Sequence, residues 1–112
     1  MSQIVVFEPI RSVGFAVIAA AAGDYVPIGA ELARNLRIAT VVNMTNADLM
    51  FSWRSSEDQF MLPAKGSYVW DFTTNKDINS QMFCINAGTI LYVKNLETPT
   101  SGSVYFTAVG SQ

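Results

Sequence analysis

The sequence predicts an all-β fold: a two-sheet antiparallel β-sandwich or jelly roll forming a single domain. Three observations predict it. Apolar residues recur with a period of two, turn-forming residues punctuate the chain at intervals of about ten residues, and several strand-like runs are apolar on both faces. At 112 residues the chain can fill one core well but not two.

The first candidate strand, Ile4 to Pro9, is followed by an apolar run, Phe15 to Ala20, that is also read as extended. Only Glu8 and Arg11 are charged between Ile4 and Ala22, so residues 1–35 are expected to pack as strands or as an arm, on the domain itself or on a neighbour. No leader peptide is expected in "GFAVIAAAAG", because Glu8 precedes it and Ile4 to Phe7 occupy the position of a basic region. The run is also too short to span a bilayer. Tyr25 to Ile28 makes another short strand, and "AELARNL", Ala30 to Leu36, is the one segment with the composition of a helical turn.

From residue 36 the alternation is regular, and residues 36–112 form the expected sandwich core. In Leu36 to Asn43 the heavier set is Leu36, Ile38, Thr40 and Val42; in Asp48 to Trp53 it is Leu49, Phe51 and Trp53. Strands are further expected over Gln59 to Leu62, Ser67 to Phe72, Met82 to Ile85, Thr89 to Lys94 and Ser103 to Val109. The opposite faces, with Val69, Val93 and Val109, are far from polar. The segments "NMTNAD", "PAKG", "NAG" and "TPTSG" separate these strands as turns.

Composition excludes several functions. Histidine is absent, which removes His-dependent catalysis and His-ligated metal. Cys84 is the single cysteine and lies in the apolar "MFCIN", where it reads as a small core residue. Seven basic and nine acidic residues give a net charge of −2, without the basic footprint of direct nucleic-acid binding. Asp71, Asp77 and Glu97 are too scattered for a calcium loop, and no cofactor motif is present. The charged fraction, 14%, is low beside the roughly 25% usual in soluble domains, so some apolar surface is expected to be covered by a partner.

The most polar six residues, "RSSEDQ", bring Arg54, Glu57 and Asp58 together. Adjacent carboxylates in a Ser-rich segment suit a hairpin tip better than an acid/base pair, which flanks its substrate. Asn43-Met44-Thr45 fits an acceptor for N-glycosylation, a match read as accidental. The tyrosines, with Trp53 and Trp70, admit a sugar-stacking surface, but aromatics at alternate strand positions more commonly belong to a core. A carbohydrate-binding sandwich module is therefore the alternative reading.

The order of features from Leu36 onward, "LRIATVVNMTNADLMFSW", a polar tip, "QFMLPAKGSYVWDFTTNK", "INAGTILYVKN" and "PTSGSVYFTAVG", resembles small β-sandwich structural proteins of tailed-bacteriophage virions. The resemblance rests on a strand ending in Asn-x-Thr-Asn, the "LPAKG" turn, the "AGT" turn and "SGSVY" opening the last strand. It implies a non-enzymatic subunit located in the virion and present in many copies in head, neck or tail. Its partners would be copies of itself and other virion proteins, with no cofactor and no membrane. Subunit contacts are then expected at Ile4, Val5, Val6 and Phe7, at Tyr25, and at an exposed loop of Arg54, Glu57 and Asp58.

Overall fold

The computed structural model describes residues 5–71, 85 and 87–111. The expected strand Met82 to Ile85, except Ile85 itself, lies outside the described residues, as do Cys84 and Phe72. The fold is the predicted two-sheet antiparallel sandwich. In chain order the elements are β1 (Val5–Phe7), β2 (Arg11–Gly14), α1 (Phe15–Ala20), β3 (Val26–Pro27) and β4 (Leu36–Asn43), then β5 (Leu49–Ser52), β6 (Phe60–Leu62), β7 (Ser67–Asp71), β8 (Tyr92–Asn95) and β9 (Ser103–Ser111).

The larger sheet runs β1-β9-β4-β7, with β2 also paired to β9, and the smaller runs β3-β8-β5-β6. Phe106, Val104, Ala108, Val41 and Ala39 of the large sheet and Phe51, Val93, Leu49 and Leu62 of the small one form the shared core, which Ile18, Ile28, Leu32 and Leu91 extend. Aromatic rings close the β6/β7 side. Phe60 of the small sheet meets Trp70 edge-on at 5.1 Å and Tyr68 at 5.6 Å, and Trp53 meets both Trp70 and Phe106.

The inward set of β4 differs from the expected one. Leu36, Ala39, Val41 and Asn43 are buried, whereas Ile38, Thr40 and Val42 face outward. A bulge between Leu36 and Ile38 causes the switch: Leu36 pairs with Gly110 and Ile38 with Val109, so an added residue on β4 reverses the alternation.

Phe15 to Ala20 is helical rather than extended. Alanine is the strongest helix former and a poor strand former, and Ile18 alone gives the turn an inward anchor. The helix stops where Ala22 and Gly23 take positive φ, 54° and 93°. Conversely, the expected helical turn Ala30 to Leu36 is absent: Ala30 to Asn35 is irregular and Leu36 opens β4. Backbone groups of this stretch bond outside it, Leu32 N–H to Thr89, Leu36 N–H to Ile85, and the carbonyls of Ala30 and Glu31 to the Arg11 guanidinium. No intrahelical ladder is compatible with those partners.

Candidate interaction surface

Interrupted pairing at the N-terminus determines which side chains reach this surface. β1 pairs with β9 in the register Val6↔Gly110 and Phe7↔Val109, and the Glu8 N–H extends it by donating to the Ala108 carbonyl. β2 resumes with Arg11↔Phe106. Pro9 and Ile10 thus stand opposite Thr107 alone, a bulge in which proline's missing N–H does no harm. In an unbroken strand, residues 8 and 11 would point to opposite faces; the bulge turns both inward.

There the Glu8 carboxylate, fully buried, accepts from the guanidinium of Arg11 at 2.9 Å and of Arg34 at 3.4 Å, and from the Ala33 N–H. Burial pushes the Glu8 carboxyl up, but the Arg11 hydrogen bond, with the Ala33 N–H and the two positive charges, outweighs it and holds the group below the usual carboxylate range. Arg11 also donates to the carbonyls of Pro9, Ala30 and Glu31. The N-terminal segment is thereby bolted to the loop before β4.

The outward face of the large sheet is different in character. Its cross-strand rows are Phe7–Val109–Ile38, Thr107–Thr40–Val69 and Ser12–Tyr105–Val42–Ser67. These positions carry no charge. In the register the first row continues to Asp71 of β7, and Arg37 occupies the adjacent bulge of β4. Phe7 is 75% exposed, Val69 57% and Tyr105 43%, and Ile10 at the bulge is 67% exposed. Nothing among the described residues covers this face.

The smaller sheet carries a second polar cluster. "RSSEDQ" is the turn of the β5–β6 hairpin: Gln59 closes it with its N–H on the Phe51 carbonyl and its side-chain oxygen on the Trp53 N–H. At the tip, Arg54 and Glu57 face each other at 4.0 Å in water, an arrangement that adds little stability. Asp58 turns away from them. It binds the Lys94 ammonium at 2.7 Å and accepts from the Tyr25 hydroxyl at 2.7 Å, while Lys94 also lies 4.9 Å above the Tyr25 ring. The hydrogen bond from Lys94, then that from Tyr25, lowers the Asp58 carboxyl, and burial with the Asp58 bond raises the Tyr25 hydroxyl. The structure thus joins Tyr25 to Asp58, pairs Arg54 with Glu57, and leaves Phe7 on the other sheet. Val5 and Val6 lie in β1, and Ile4 lies outside the described residues.

A third cluster unites three turns of the sandwich. Asn43, fully buried, donates to the carbonyls of Ala47, Leu62 and Pro63 and accepts from the Thr45 N–H and hydroxyl. Asn46 binds Thr100 and Ser101, Asp48 accepts from the Ala64 N–H, and Lys65 donates to the Met44 carbonyl. "NMTNAD", "PAKG" and "TPTSG" are therefore one knot. The buried Asn43 amide is closed to a glycosylating enzyme while the chain is folded.

Sequence reasoning missed the clamp at Glu8 because the Pro9–Ile10 bulge is invisible to a period of two. It also missed the partner of Asp58, Lys94, which is 36 positions away. The uncharged outer face had a signal, the weak polarity around Val69 and Val109. Among the described residues, no three His, Cys, Asp or Glu side chains gather into a metal-binding group, and no helix is long and apolar enough to cross a membrane. The chain matches no protein-family model, no curated protein and no solved structure.

Proposed function

We propose that the chain is a non-enzymatic structural subunit of a tailed-phage virion, present in multiple copies as a ring, connector or decoration component at the head, the head-tail junction or the tail. The observation that carries the structural role is the outward face of the large sheet, where Phe7, Val69 and Tyr105 are exposed among threonines and valines without a charge. Such a face is stabilised by removal from water, at about 25 cal/mol per Å² of apolar area, and a permanent assembly supplies that removal. The polar groups a ligand site would use are already bonded within the chain: Asn43, Glu8 and Asp58 each hold partners of their own. The phage assignment comes from the resemblance alone.

A sugar platform has less in its favour, since Trp53 and Trp70 are half-buried and packed edge-on against each other. Quantitative mass spectrometry of purified particles assembled from the genome that encodes the chain tests the assignment. Many copies per particle are expected; absence from particles would overturn it.

A further inference from the structure

The edge of the large sheet at β1 has no strand beside it among the described residues. Antiparallel pairing alternates residues that exchange hydrogen bonds with a neighbour and residues whose backbone groups point the other way. The Glu8 N–H bond to the Ala108 carbonyl sets this parity. Glu8 and Val6 direct their N–H and C=O toward β9, and Val5 and Phe7 present theirs to the free side. β1 is the terminal strand of its sheet, and among the described residues its only strand partner is β9.

Edges of this kind are normally blunted by a charge, a proline or a cover. The far edge of the smaller sheet follows that rule, with Pro27 in β3. β1, of sequence Val-Val-Phe, carries neither charge nor proline. The nearest charge is Glu8, and it is turned inward and neutralised by Arg11 and Arg34. Two copies of this edge can therefore meet without bringing like charges together, although each chain is net negative.

We propose that β1 pairs antiparallel with β1 of a second copy around a two-fold axis through Val6. Val5 of each copy lies opposite Phe7 of the other, and about four backbone hydrogen bonds form. The axis stands perpendicular to the sheet, so the two large sheets become one and their uncharged outer faces lie on the same side. The pairing brings the exposed Phe7 position beside Val5 of the neighbour and widens the face available to further subunits. This inference rests on reading the chain as a multi-copy subunit.

Residue-resolved amide hydrogen exchange at low and high protein concentration, with sedimentation of the parent chain and of Val5→Pro, tests it. Val5→Pro removes an N–H that the domain does not use, in a strand position that tolerates proline. Val6→Pro, by contrast, removes one directed at β9, and so reports on folding. The expected result is that Val6 and Glu8 amides are protected at all concentrations, Val5 and Phe7 amides only at high concentration, and that Val5→Pro folds but sediments at half the parent mass. If the parent associates while Val5 and Phe7 still exchange freely, or if Val5→Pro associates as well as the parent, the edge pairing is wrong and the subunit reading stands. If the parent is monomeric throughout, both fall.

Discussion

The Asn43 side chain makes five hydrogen bonds to the turns around it. Truncation to alanine removes the acceptor of the Thr45 N–H and a donor to the Ala47, Leu62 and Pro63 carbonyls, although the Thr45 hydroxyl still reaches the Ala47 carbonyl and the Gly66 N–H that of Pro63. Asn43→Ala is expected to lower stability in urea titration by about 3 kcal/mol, since each buried unsatisfied group costs about 1–3 kcal/mol and some relaxation follows. Met44→Gln beside it, at an exposed side chain, should stay within about 0.5 kcal/mol. Equal effects would mean that the knot is not organised by Asn43.

Glu8 gives a pH dependence whose sign follows from its clamp. Its carboxyl is below 4.5 in the folded chain and near that value when unfolded, so the unfolded state binds the proton more readily. The clamp's contribution is then complete above about pH 4.5 and disappears as pH falls through the folded value. Stability measured from pH 7 down to pH 3 should drop less steeply for Glu8→Gln than for the parent. Asp58 is lowered too and acts in the same direction, so Asp58→Asn serves as the comparison. A parent and a Glu8→Gln variant with parallel profiles would contradict the clamp.

At the scale of elements, most strands were legible because alternation survives wherever a strand has one wet and one buried face. Val104, Phe106 and Ala108 turn inward as their pattern requires, as do Leu49 and Phe51. What escaped were irregularities of a single residue. The bulge at Leu36/Ile38 exchanged the two faces of β4, and the bulge at Pro9–Ile10 sent Glu8 inward. Phe15 to Ala20 misled for another reason: hydrophobicity without alternation fits a buried strand and a short helix equally, and alanine content decides.

Turn geometry supplies a prediction at this scale. Gly102 has φ +89°, and a Cβ there would overlap the Met44 carbonyl oxygen. Gly102→Ala should therefore cost about 3 kcal/mol or more in chemical denaturation, through backbone strain and overlap together. A loss below about 1 kcal/mol would mean that the "TPTSG" turn is not held against "NMTNAD".

For the molecule as a whole, the clusters at Glu8, Asp58 and Asn43 are paired internally, while the outward positions Phe7, Thr40, Val69, Tyr105 and Thr107 of the large sheet carry no charge. Low charge content predicts that some surface is covered; which residues form the apolar outer face depends on the β4 bulge, so composition alone could not locate them. The candidate contacts in β1 were legible as an apolar run with one charge, and their edge position emerged only with the topology. Trp53 and Trp70, packed on the core, should resist acrylamide quenching, whereas a sugar platform would leave them open to it.

Removing residues 1–10 would disturb folding together with association, because Glu8 leaves Arg11 and Arg34 without their carboxylate. A single charge on the outward face avoids that difficulty. The most direct measurement is therefore light-scattering mass across a wide concentration range for the parent and for Val69→Lys, whose side chain is exposed and outside the core. Assembly through the large sheet predicts a discrete oligomer for the parent and a smaller one for Val69→Lys, with unchanged denaturation midpoints. A parent that remains at 12.2 kDa throughout, or a variant that assembles identically, would contradict it.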